Sequence, residues 1–260
     1  MDETGPDGLP PLVARAWGLQ EAAGRGPRPG LSLGRVVEAA VAVADAEGLA
    51  AVSMSRVGAE LGASTMGLYR HVSGKDELLS LMVDQVWGTP PEAPSPEAGW
   101  RRRTEHWARS MRRVLEDHRW VLSVPIPGPP ATPHQVAWME QGLAALDGTR
   151  LAASEKMSVI LLVSGFVRNE VGLATGIAAA LASDPEAVQI VTRYGRILAR
   201  VTDPERFPAL TAVLETGALD DDDDDEELSQ EFTFGLERIL DGIDVLIRSR
   251  EGADPAPGRS

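Results

Sequence analysis

The stretch LGASTMGLYRHVSGKDELL, from Leu61 to Leu79, gathers Tyr69, Arg70, His71 and Lys75 directly after a glycine-centred turn. The hydroxyls of Ser64, Thr65 and Ser73 stand beside them. Cations and hydroxyl donors at this density suit a polyanion, because such side chains bind the phosphate oxygens of nucleic acids. Other readings remain open at this point. Tyr69 could cover a core, His71 could lie half-buried, and Met66 could be simple surface.

Short helices must position these groups. Ser32 is a good N-cap for a first helix, in which Leu33, Val36, Val37, Ala40, Val41 and Ala44 form an apolar stripe that stops at Gly48. Ser53 caps a second helix with Val57 and Leu61 facing inward. Gly62 permits a positive φ, so two helices can meet steeply there. Ser64 opens the next helix, in which Leu68 and Val72 face inward and Thr65, Met66, Tyr69 and Arg70 face outward. This is the helix-turn-helix layout, and its second helix fits a major groove about 12 Å wide. Ser73-Gly-Lys-Asp76 reads as a capping box for a helix from Lys75 to Trp87. The free N–H groups and dipole of that helix suit a phosphate.

The overall charge gives no hint of this. The chain has 260 residues, 39 acidic against 25 basic, and a net charge of −14. Residues 31–88 carry four Lys or Arg against seven acids, so DNA affinity must come from a few well-aimed groups. With no cysteine, the chain has no disulfide, thiolate zinc site or cysteine nucleophile. No apolar run reaches the length of a membrane span, and the acidic, proline-rich start lacks a signal-peptide pattern. A cytoplasmic protein without a membrane partner is expected.

No strand pattern is convincing, so the expected fold is all-α: an N-terminal three-helix helix-turn-helix domain plus a larger helical domain. The expected organisation is a flexible arm over 1–30, a first domain over 31–88, a second over 97–250 and a disordered tail over 251–260. The proline-rich stretch 89–99 joins the domains. Helices are expected from Trp100 to Leu122, Gln135 to Leu146, 154 to 182, Pro185 to Val201, and 228 to 247. The 154–182 helix is apolar nearly all round and should be buried on several sides. The acidic run 220–227 should be a solvated loop.

The segment VVEAAVAVADAEGLAAVSMSRVGAELGASTMGLYRHVSGKDELL resembles the DNA-binding domain of the TetR family of transcriptional repressors. FTFGLERILDGIDVLI (232–247) is similar to the end of the ligand-binding domain in the tetracycline-repressor-like branch. The resemblance implies a role for each matching position. Ser53, Ser55 and Arg56 would meet phosphate and sometimes a base. Thr65, Met66 and Arg70 would read bases, and Tyr69, His71 and Lys75 would hold phosphates. Gly67 would approach the DNA backbone closely. Arg56 and Arg70 are the candidates for guanine, since arginine can bond O6 and N7 together. The Arg25/Arg28 arm could enter a minor groove or be inert.

The resemblance further implies a homodimer, double-stranded palindromic DNA and a small-molecule effector. Half-sites would lie about 34–36 Å apart. An apolar or aromatic effector would sit among Trp107, Met111, Trp138, Met139, Phe166 and Val167, with His134, Gln141, Ser164, Asn169 and Tyr194 as polar partners. No cofactor, metal site or catalytic machinery is expected. The rival reading is an all-α metal-dependent enzyme built on the acidic run. A metal carried with the ligand would draw on His106, His118 and His134. A ligand-free architectural DNA binder is a third reading.

Overall fold

The computed structural model describes residues 8–19, 31–126, 128–219 and 225–252. Arg25, Arg28, Asp220 to Asp224 and most of the expected tail lie outside the described residues. The segment expected to be a flexible arm contains a helix, α1 (Pro11–Ala16). Its local sequence alone would not hold it, since six residues are too few for a helix to persist in water. Bonds to distant parts of the chain hold it instead, as described below.

The helix-turn-helix head, residues 33–87, follows. α2 (Leu33–Glu47) begins where the Ser32 hydroxyl accepts the Arg35 N–H at 3.3 Å, and ends at Gly48 with φ 83°. Val36 and Ala40 are fully buried on its inner face. α3 (Met54–Leu61) is capped by Ser53, whose Oγ accepts the Arg56 N–H at 3.1 Å. Gly62 closes it in the left-handed region at φ 62°. α4 (Thr65–Leu68) is a single turn capped by Ser64, and α5 (Lys75–Trp87) follows. The cap of α5 differs from expectation. Glu77, not Asp76, reaches back, and its Oε2 accepts both the backbone N–H (2.5 Å) and the hydroxyl (2.6 Å) of Ser73.

α6 (Gly99–Asp117) is shorter than expected, because His118 breaks the ladder and a tight turn, Arg119–Ser123, replaces its end. α7 (Pro133–Ala145) starts at a proline, which fits a first helical position. α8 (Ala153–Ser183) is the longest helix. The chain then breaks into α9 (Pro185–Val191) and α10 (Tyr194–Val201), where one helix was expected. α11 (Pro208–Glu215) was not anticipated. α12 (Asp225–Gly252) takes in the last acids of the expected loop and the start of the expected tail. No strand occurs among the described residues.

Two compact bodies result, one from residues up to Arg168 together with those from Leu240 onward, the other from Asn169 to Ile239. The first holds the head, α6, α7 and the first half of α8. α8 departs from its expected all-round burial. Val159, Ile160, Val163, Val167 and Val171 are buried, but Met157, Leu161, Leu162 and Leu173 are exposed. A single chain covers only one stripe of this helix. Its length and apolar content alone would also suit a membrane crossing, contrary to the expectation from run length. The buried valine stripe, and Arg168 and Glu170 at mid-helix, mark it as a packing helix.

Candidate functional site

Leu68 at the end of α4 and Val72 in the turn beyond it are fully buried, while Thr65, Met66, Tyr69 and Arg70 are exposed. Met66 is 75% exposed and Tyr69 52%. The four side chains thus share the solvent side of a turn whose inner side is locked in the head. The Ser64 Oγ accepts the Gly67 N–H at 3.2 Å and fixes where α4 begins. Lys75 is exposed at the first residue of α5, beside the short loop carrying the half-buried His71. A cation, an aromatic hydroxyl and a helix start therefore flank the exposed α4 face.

Gly58 escaped the sequence reading. A Cβ there would stand 2.9 Å from the Ala63 carbonyl oxygen, so glycine lets α3 pass close to the chain entering α4. The Ala63 N–H also bonds the Gly58 carbonyl at 2.9 Å.

Arg56 is paired within the head. Its guanidinium grips Glu47 through Nε (3.0 Å) and Nη2 (2.6 Å), and its Nη1 bonds Glu60 at 2.9 Å. Hydrogen bonds to Glu47 and then Glu60 raise its pKa further, and the same pairing lowers that of Glu47. A guanine at Arg56 would compete with two half-exposed carboxylates. Ser53 spends its Oγ on the α3 cap and bonds Ser55 Oγ at 3.1 Å. Arg70 makes no ion pair among the described residues and keeps its fork available.

Two carboxylates of the head receive the helices that follow. Asp84 on α5 is buried, and its Oδ1 accepts the backbone N–H groups of His134 (2.9 Å) and Gln135 (3.3 Å). Its Oδ2 meets His134 Nδ1 at 3.0 Å. Asp84 therefore caps α7 from another helix. Asp45 on α2 accepts from Trp120 Nε1 at 2.7 Å and meets His118 Nδ1 at 2.8 Å. Trp138 Nε1 bonds the carbonyls of Trp87 (2.9 Å) and Gly88 (3.1 Å), closing the end of α5, and its ring meets Trp87 edge-on at 5.2 Å.

These bonds revise the expected effector set. His134 and Trp138 belong to the junction between α5 and α7, and Gln141 Nε2 bonds the Pro91 carbonyl at 2.6 Å. Trp107 is buried and bonds the Trp138 carbonyl at 2.9 Å, with its ring against Gly142. Met111 and Val167 are buried, while Met139 and Phe166 are half-buried. Ser164 bonds the Leu161 carbonyl of its own helix at 3.1 Å. Asn169 and Tyr194 are exposed and belong to the second body.

Another set on α6 was missed. Arg103, His106 and Ser110 lie three and four residues apart and share one side of the helix. Arg103 Nε, His106 Nε2 and Ser110 Oγ are buried without a hydrogen-bond partner, as is Gln141 Oε1. Ser110 is 3% exposed. Buried polar atoms are normally paired, so a row of unpaired ones asks for a missing partner. The signal was present in the sequence: polar residues on the inward side of an amphipathic helix.

Among the described residues no three His, Asp or Glu side chains gather as a metal site. His118 and His134 are each held by an aspartate instead. Asp225 to Glu227 begin α12, and the enzyme reading built on the acidic run finds no support.

The comparisons agree with this geometry. Residues 36–82 match the family of bacterial regulatory proteins, tetR family, and residues 93–247 match the tetracyclin repressor-like C-terminal domain. The HTH-type transcriptional repressor DrrR1 of Streptomyces coeruleorubidus is 38% identical over 247 residues, covering 91% of this chain and 86% of that protein. The class E tetracycline repressor protein of Escherichia coli is 27% identical over 138 residues, 52% of this chain and 65% of its own. The structure of Streptomyces coelicolor ActR in complex with actinorhodin superposes with a TM-score of 0.69 at 30% identity, covering 83% of this chain and 96% of that one. Proteins of this family are generally not enzymes. The chain belongs to the TetR family of ligand-responsive, helix-turn-helix transcriptional repressors.

Proposed function

We propose that this repressor acts in the cytoplasm as a homodimer without catalytic activity, occupies a palindromic operator through α4, and leaves it when an aromatic effector binds beside α6. The observation that carries the DNA half is the exposed set Thr65, Met66, Tyr69 and Arg70 over a fully buried Leu68 and Val72. Arg70 reads guanine, and Thr65 and Met66 contact neighbouring base edges. Tyr69, His71, Lys75, Ser53 and Ser55 hold phosphates, and Gly67 admits the backbone closely. The exposed apolar side of α8 (Met157, Leu161, Leu162), with Val245 of α12, supplies surface for the second subunit.

The effector half rests on the unpaired row Arg103, His106 and Ser110 beside the buried Trp107 and Met111. An aromatic body against Trp107, Met111 and Phe166, bearing oxygens that pair with the row, fits that chemistry. Actinorhodin, the ligand in the ActR complex, is the first candidate. The ligand must favour the DNA-incompetent state, since equal affinity for both states shifts nothing. Selection of duplexes from a random pool, followed by footprinting with the protein and with Arg70→Ala, tests the DNA half. A protected palindrome lost in the variant supports it; no selected sequence sinks it. Actinorhodin titrated into the selected complex tests the effector half.

A further inference from the structure

We propose that Arg15, which lies ahead of the matched DNA-binding segment, is a positioning residue for operator recognition, held in place by Trp17. The proposal rests on the DNA-binding reading given above.

The Arg15 guanidinium reaches the end of the recognition element. Its Nη1 donates to the His71 carbonyl oxygen at 2.6 Å, just beyond α4. Its Nε stands 3.0 Å from Glu77 Oε1, an ion pair set off the angle of a hydrogen bond. Glu77 is 8% exposed, and its other oxygen takes both donors of Ser73. One carboxylate thus ties the loop between α4 and α5 from below, and Arg15 neutralises it. Without that guanidinium, a buried carboxylate would stand against the segment bearing Tyr69, His71 and Lys75. A buried charge stripped of its partner is strongly unfavourable, so the loop would rearrange to hydrate it.

Trp17 anchors the other end of the segment. Its Nε1 donates to the Ala131 carbonyl at 2.8 Å, two residues before α7 starts. The N-terminus of α7 is in turn capped by Asp84 of α5. A closed ring results: α5, Glu77, Arg15, α1, Trp17, Ala131, α7, Asp84 and α5 again. The chain through residues 88–98 links the head covalently to α6 and α7, and Asp45, Asp84 and Trp138 tie it at the α2 and α5 side. The strap adds a tie at the recognition element itself, on the loop between α4 and α5. Arg15 does this from a half-buried position, with its donors turned toward protein acceptors.

The test separates positioning from phosphate contact. Non-specific binding is carried by phosphate contacts, whereas specific binding also needs the recognition element correctly presented. The probes are a duplex selected from a random pool by the wild-type protein and a scrambled duplex of equal length, read by fluorescence anisotropy at one salt concentration. Arg15→Gln is expected to lose about tenfold or more on the selected duplex and less than about twofold on the scrambled one, tenfold being roughly one lost base contact. Arg15→Lys, which keeps the charge, is expected to recover part of the loss. Equal losses on both duplexes would make Arg15 a phosphate ligand, and no loss on either would make it dispensable; each overturns the proposal. Trp17→Phe covers the case in which Arg15→Gln does not fold. It leaves the ion pair intact and is expected to lower the specific-to-non-specific ratio by about threefold, and an unchanged ratio overturns the strap. If the wild-type protein selects no duplex, the DNA-binding reading has failed, a result distinct from failure of the strap.

Discussion

Replacing Asp84 by alanine removes the cap of α7 and the tie between that helix and α5. Three interactions go together: the N–H bonds from His134 and Gln135, and the contact with His134 Nδ1. Nothing nearby substitutes, because Thr132, the residue before α7, makes no side-chain cap and its hydroxyl is itself buried without a partner. Loss of a capping side chain costs about 0.5–2 kcal/mol, and loss of a carboxylate from a partly buried helix start adds about 0.3–2 kcal/mol, so about 2–3 kcal/mol is expected here. In a chain of this size each kcal/mol moves the melting temperature by about 2–4 °C, which gives a fall of about 4–12 °C. Asp84→Asn keeps an acceptor for the N–H groups and gives up the charge, so its fall should be about 2–4 °C. Circular dichroism at the helix minimum, scanned with temperature, reads both. If Asp84→Ala melted within about 1 °C of wild type, the cross-helix cap would contribute nothing and the reasoning would be refuted.

Gly58→Ala should disturb the turn into α4, since the new Cβ would press on the Ala63 carbonyl at 2.9 Å; a cost of about 1–3 kcal/mol and weakened duplex binding are expected, and a stabilised variant would contradict the geometry. Leu161→Glu with Leu162→Glu places charge on the exposed apolar side of α8 and should convert the dimer to monomer in sedimentation, while an unchanged dimer would move the interface elsewhere. His106→Ala with Ser110→Ala should raise the actinorhodin concentration needed to release the selected duplex by about tenfold, duplex affinity being unchanged; an identical titration would remove the α6 row from the effector site. Glu155, whose carboxyl is held below its ordinary pKa by the Ala152 N–H and then Arg250, stabilises the fold above the ordinary carboxylate pKa of about 4.3 and loses that contribution as pH falls through its lowered value, so Glu155→Gln should flatten the acid side of a melting-temperature profile.

The head was legible because its signals are local. Ser32, Ser53 and Ser64 each cap the helix that follows, and Gly48 and Gly62 each end one at positive φ. The outward set Thr65, Met66, Tyr69 and Arg70 follows from two buried residues four apart, Leu68 and Val72. What escaped was decided over distance. Arg56 is governed by Glu47, nine residues back on another helix, and no periodicity in α3 announces that pairing. α1 sits in a proline- and glycine-rich context, and its anchors lie 56 and 114 residues away. His134 and Trp138 have the composition of a ligand site, yet the end of α5 claims their donors. α8 looks buried all round because its apolar residues encircle it, whereas one chain covers a single stripe.

The tryptophans give this molecule a built-in optical gauge. Of the six, Trp17, Trp87, Trp107, Trp120 and Trp138 all sit where the head meets the helices after it, four of them donating an indole N–H to a carbonyl or carboxylate. The tyrosines, Tyr69 and Tyr194, are exposed and absorb little at the red edge of the ultraviolet band. Emission excited there comes from tryptophan, most of it from these five indoles. A change in the tilt of α5 would alter the polarity around these indoles, so the unlabelled protein reports its own switching.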